Sequence, residues 1–71
     1  MLFDLELRAA LDQLRVAPRV GSAYHDVVAG QEHRRILMPR TRDHLYYRVV
    51  AADRVHVVAI WSAVRGRGPR L

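Results

Sequence analysis

His33-Arg34-Arg35-Ile36-Leu37-Met38, then Pro39-Arg40-Thr41-Arg42-Asp43, then His44-Leu45-Tyr46-Tyr47-Arg48-Val49-Val50 is the stretch on which the fold turns. The two outer runs are rich in β-branched, aromatic and long side chains, which suit a pleated, half-buried surface, and the run between them is a short basic turn. A third run of the same kind, Arg54 to Trp61, follows after only Ala51-Ala52-Asp53. Connections this short join antiparallel neighbours, so the expectation is a meander with strands at about 33–38, 44–51 and 54–61. In the last strand Val55, Val57, Ala59 and Trp61 alternate onto one face, and His56, Val58 and Ile60 onto the other. Apolar residues on both faces predict a central strand covered on both sides, with Trp61 closing the core.

Upstream the period changes. Phe3, Leu7, Ala10, Leu11 and Leu14 recur at helical spacing in a segment free of Gly and Pro, which predicts an amphipathic helix over about 2–16. Asp4 is placed one turn before Arg8, a favourable pair. Pro18 ends the helix, because the residue before a proline avoids the helical region. A second apolar set, Leu2, Leu5, Ala9 and Val16, lies on other sides of the same helix, so either something else packs there or the helix is partly exposed. Residues 18–32 contain Pro18, Gly21, Ser22 and Gly30 and read as an irregular connection, with an extended piece around Tyr24 to Val28. The tail 63–71, with Arg65-Gly66-Arg67-Gly68-Pro69-Arg70, is too rich in glycine and charge for regular structure unless bound. The sum is one α+β domain over 1–71, an N-terminal helix packed on a small antiparallel sheet.

At 71 residues such a domain is marginal, and without cysteine no disulfide supports it. Support is expected from a partner or from self-association. All twelve basic residues are arginine, a bias that genomic base composition explains as readily as function does. Their distribution says more. Residues 1–33 hold three arginines against five acids, whereas 34–71 hold nine against two. A basic half facing an acidic half points to an anionic partner, either nucleic acid or an acidic protein surface. No apolar run approaches the roughly 18–20 residues of a membrane span, and Met1-Leu2-Phe3-Asp4-Leu5-Glu6 lacks the basic opening of a signal peptide, so a cytoplasmic location is expected.

Glycine-rich phosphate loops, His-Glu-x-x-His and nucleophile elbows are absent. His25, His33, His44 and His56 are dispersed, which does not suit a structural zinc site, and no metal or cofactor is expected. His56 reads as an ordinary sheet residue. His44, between the basic turn and Tyr46-Tyr47-Arg48, is the least ordinary of the four: a base for phosphodiester chemistry, with arginines to stabilise transition-state charge. A cross-strand hydrogen-bonded histidine is the plainer reading. Arginines interleaved with Tyr46, Tyr47 and Trp61 suit nucleic-acid surfaces and protein hot spots alike.

Arg34 to Val49, then Val57-Val58-Ala59-Ile60-Trp61, then Arg65-Gly66-Arg67-Gly68-Pro69, resembles the RelE/ParE superfamily of type II toxin–antitoxin toxins, the ParE-like branch in particular. In that family an R-R-x-L stretch, an R-T-x-x-H-x-Y-Y-R-V hairpin and a W-x-x-x-R-G-R-G-P ending recur in this order. Pro18-Arg19-Val20-Gly21 and the helix before it also match. The resemblance implies a helical hairpin on a four-stranded antiparallel sheet, of which this chain has room for one helix and three strands, lacking the usual first strand and first helix. It further implies neutralisation by a cognate antitoxin. ParE-like members bind DNA gyrase, whereas RelE-like members cleave messenger RNA in the ribosome with basic sheet residues and commonly a tyrosine near the C-terminus. Here no tyrosine follows Tyr47 and lysine is absent, which favours binding over cleavage. The expected partner-binding residues are Arg40, Arg42, Arg48, Arg65 and Arg67; a ribonuclease would use His44, Arg48 and Arg65. A homo-oligomer or hetero-complex is expected, and outside the family the alternative is a small basic nucleic-acid-binding module.

Overall fold

The computed structural model describes residues 2–24 and 32–65. Helix α1 (Leu2–Val16) precedes a four-stranded antiparallel sheet built from β1 (Ser22–Ala23), β2 (Glu32–Met38), β3 (Asp43–Ala51) and β4 (Arg54–Ser62), in that spatial order, and a short 3-10 turn (Ala63–Arg65) follows. The α+β arrangement and three of the strands are as the sequence predicts. The fourth is an addition: β1 contributes two exposed residues, opposite Arg34 and Arg35, too short to carry a hydrophobic pattern. It lies just upstream of the expected extended piece, most of which falls outside the described residues.

The helix lays Ala10 and Leu14 against Met38, Leu45, Tyr47 and Val49, with Phe3, Leu7, Leu11, Ile36 and Val55 around them. Leu2, Leu5, Ala9 and Val16 remain exposed, as two apolar sets on one helix require. The ion pair on the helix joins Arg15 to Asp12 at 3.8 Å. Among the described residues Asp4 and Arg8 do not form the expected pair. A second link ties helix to sheet: Glu6 accepts the Arg40 N–H at 3.0 Å and the Thr41 N–H at 2.7 Å, clasping the β2–β3 turn. In that turn Arg42 takes a left-handed φ of 60°, and its carbonyl accepts the Ala63 N–H at 2.8 Å, so the end of β4 is held to the same corner.

The helix-to-β1 connection is fixed by Gly21. Its N–H donates to the buried Tyr47 hydroxyl at 3.0 Å, and its carbonyl accepts from Arg34 at 2.7 Å. A Cβ here would stand 2.6 Å from both the Arg35 carbonyl oxygen and the Tyr47 hydroxyl, so glycine is required by close approach. Glu32 completes the corner by pairing with Arg19 at 2.9 Å and Arg34 at 2.8 Å.

Two expectations for β4 are corrected. It is an edge strand, not a central one, because the sheet ends there and Val57, Val58 and Ile60 are exposed. Trp61 does not share a face with Val55 and Val57. Tyr46 pairs with Ala59 and Tyr47 with Val57, so Val58 is an extra residue on β4, a bulge that inverts the alternation beyond it. Val55 and Val57 face the helix. Ala59, opposite Tyr46, and Trp61, opposite His44, face away from it, and Trp61 lies outside the core cluster. No helix among the described residues is long and apolar enough to cross a membrane.

Candidate binding face

Alternation along the strands sorts the remaining side chains onto the far face, the one turned away from the helix. Residues paired across antiparallel strands share a face, so the register defines three rows. Leu37, His44 and Trp61 form one, nearest the β2–β3 turn. Ser22, Arg35, Tyr46 and Ala59 form the next, and His33, Arg48 and His56 the last. The middle row carries an aromatic cluster, with Tyr24 meeting Tyr46 edge to face at 4.8 Å, His44 lying 5.9 Å from Tyr46, and the Arg35 guanidinium 5.8 Å from the Tyr24 ring.

The described carboxylates all lie off the far face. Glu32, opposite Val49, and Asp43, opposite Met38, lie on the helix side; Asp4, Glu6 and Asp12 are on the helix itself, and Asp53 is in the β3–β4 turn. Among the described residues the far face holds Arg35, Arg48 and three histidines and no carboxylate. Of the arginines in the basic half, Arg35 and Arg48 stand on this face, whereas Arg34, opposite Tyr47, lies on the helix side and Arg40 and Arg42 lie in the β2–β3 turn.

His44 has its ring pKa lowered, first by burial and then by the charge of Arg35, which leaves the imidazole neutral and able to accept a proton. Burial pushes the Tyr47 hydroxyl on the other face upward, in keeping with its structural role at Gly21.

The structure separates the residues the sequence grouped together. His44 and Arg48 share the far face but lie four residues apart on β3, about 13 Å between Cα atoms, and do not converge on one phosphate. Arg35, not singled out as a site residue, is the cation that acts on His44. Arg40 and Arg42 are exposed in the turn at the His44 end. Arg65 ends the 3-10 turn in the same corner, through the Ala63 link to Arg42, while Arg67 and His25 lie outside the described residues. His33 and His56 flank Arg48, an arrangement a symmetric register about the 39–42 turn would have revealed on the β2 side. No family model, curated protein or solved structure matches the chain.

Proposed function

We propose that this chain is the toxin component of a type II toxin–antitoxin module, of the ParE-like kind, which acts in the cytoplasm by binding a target such as DNA gyrase and is neutralised by a cognate antitoxin. The observation that carries this reading is the far face, which holds no carboxylate among the described residues. The run that resembles the family, Arg34 to Val49 with Val57 to Trp61, forms most of that face and leaves Arg48 on it beside two histidines. A basic, aromatic sheet surface complements an acidic partner and supplies the residue types that dominate interface energetics. His44 and Arg48 stand too far apart to serve one scissile bond, and an arginine is a poor proton donor, so binding fits the geometry better than cleavage.

One observation favours a second reading. His44 is neutral beside Arg35 on this face, as a general base for a RelE-like messenger RNA endoribonuclease would be. Inducing the chain in cells and mapping messenger RNA ends by primer extension, beside a supercoiling assay with purified gyrase, separates the two. Loss of supercoiling with intact messages is the expected result. New cleavage sites that vanish in His44→Ala, with supercoiling unaffected, would overturn it. Binding to any nucleic acid, with growth and supercoiling both unaffected, would instead leave a basic nucleic-acid-binding module.

A further inference from the structure

We infer that the His33–Arg48–His56 row is a seat for a phosphate group, separate from the His44 end of the face; it uses the Arg48 that the toxin reading also draws on but does not rest on that reading. The three residues are direct cross-strand neighbours on adjacent strands, so their side chains stand side by side at strand spacing. Arg48 Nη2 lies 3.4 Å from His56 Nδ1. A guanidinium only donates, so His56 Nδ1 accepts and the His56 proton sits on Nε2, pointing away from the shared contact. On the other flank His33 is 95 % buried, at 5 % exposure, and its Nδ1 has no hydrogen-bond partner among the described residues; neither has the buried Nε of Arg48.

Native proteins pair nearly all such atoms, and two orphans in one row mark a place where polar capacity is held ready for something else. The sign of that something follows from the surroundings. With a permanent cation in the middle of the row and no carboxylate among the described residues of this face, a metal ion is repelled and an anion attracted. Its shape follows from the donors. A carboxylate has two oxygens, and the arginine fork satisfies both, leaving the imidazoles without a role. A phosphate has further oxygens to offer the flanking rings.

The test is histidine side-chain NMR on the full chain during titration with inorganic phosphate, and then with a short single-stranded oligonucleotide. The His33 and His56 rings are expected to shift together and saturably, and the His44 ring, two rows away, to shift less. Arg48→Gln should abolish the phosphate response and weaken oligonucleotide binding by about tenfold or more. It should also lower the slope of log affinity against log salt by about 0.7, the loss of one phosphate contact. Arg54→Gln removes the same charge from the start of β4 and should leave the response in place. Arg48→Lys, which keeps charge without the fork, should fall between, and guards against a folding defect in the glutamine variant.

A response to inorganic phosphate alone assigns the seat to a free phosphate, whereas a response to both assigns it to a nucleic-acid backbone. Equal weakening by Arg54→Gln and Arg48→Gln would reduce the effect to net charge and overturn the inference. So would a glutamate-rich peptide that shifts the same two rings at lower concentration than the oligonucleotide does, since the seat would then serve a carboxylate.

Discussion

His44 shows how one residue can be read two ways and then separated by measurement. Its folded pKa lies below the ordinary 6.5, so the unfolded chain binds the proton more readily than the folded one. The stability this residue contributes is therefore complete above about pH 6.5 and is lost as the pH falls from there through the folded value. Glu6 and Glu32 do not blur that window. Glu6 feels burial first, which opposes the shift, but its hydrogen bonds from Arg40 and Thr41 and the charge of Arg40 prevail. Glu32 is held down chiefly by its bonds from Arg19 and Arg34. Both therefore titrate below 4.5. Thermal unfolding followed between about pH 7.5 and 5.5 should show the wild-type midpoint falling more steeply than that of His44→Gln. Parallel curves would mean that the ring is not held neutral by the fold.

At the scale of elements the decisive feature is the bulge at Val58. It places Trp61 on the far face, half-buried opposite His44, so removing its side chain leaves the core cluster intact. Trp61→Ala should cost roughly 1–2 kcal/mol, below the roughly 2–5 kcal/mol expected for Leu14→Ala, whose side chain is fully buried between helix and sheet. Urea unfolding of both variants decides it, and a Trp61→Ala loss larger than that of Leu14→Ala would return the tryptophan to the core. The helix, the β2–β3 hairpin and the β3–β4 connection were legible because hydrophobic period and short turns act locally. The face of Trp61 was not, because one unpaired residue inverts a period-2 pattern without changing its composition. β1 was illegible for a related reason: two exposed residues hold their place through Gly21 and Tyr47, a contact between positions 26 residues apart. Of the candidate site, the basic character was readable along the chain, whereas the rows that pair His33 and His56 with Arg48 exist only once the register is known.

For the molecule as a whole, the helix is the side that needs company. Leu2, Leu5, Ala9 and Val16 fall on one stripe of α1, and Leu5 is 67 % and Val16 87 % exposed, an apolar strip on a chain with a small core. A second copy covering this stripe is the expected state, visible in sedimentation as a species larger than the monomer at micromolar concentration. Leu5→Glu should shift it to the monomer without loss of helix content. A wild-type chain that sediments only as a folded monomer would contradict this. Pairing through the helices leaves both far faces outward. The placing of the described carboxylates away from the far face then acquires a kinetic meaning, because Arg35 and Arg48 stand there without a compensating acid among the described residues while Glu32 and Asp12 are paired with arginines elsewhere. In the field of an acidic partner such a body turns before it touches, so added salt should slow its arrival more than it hastens its departure.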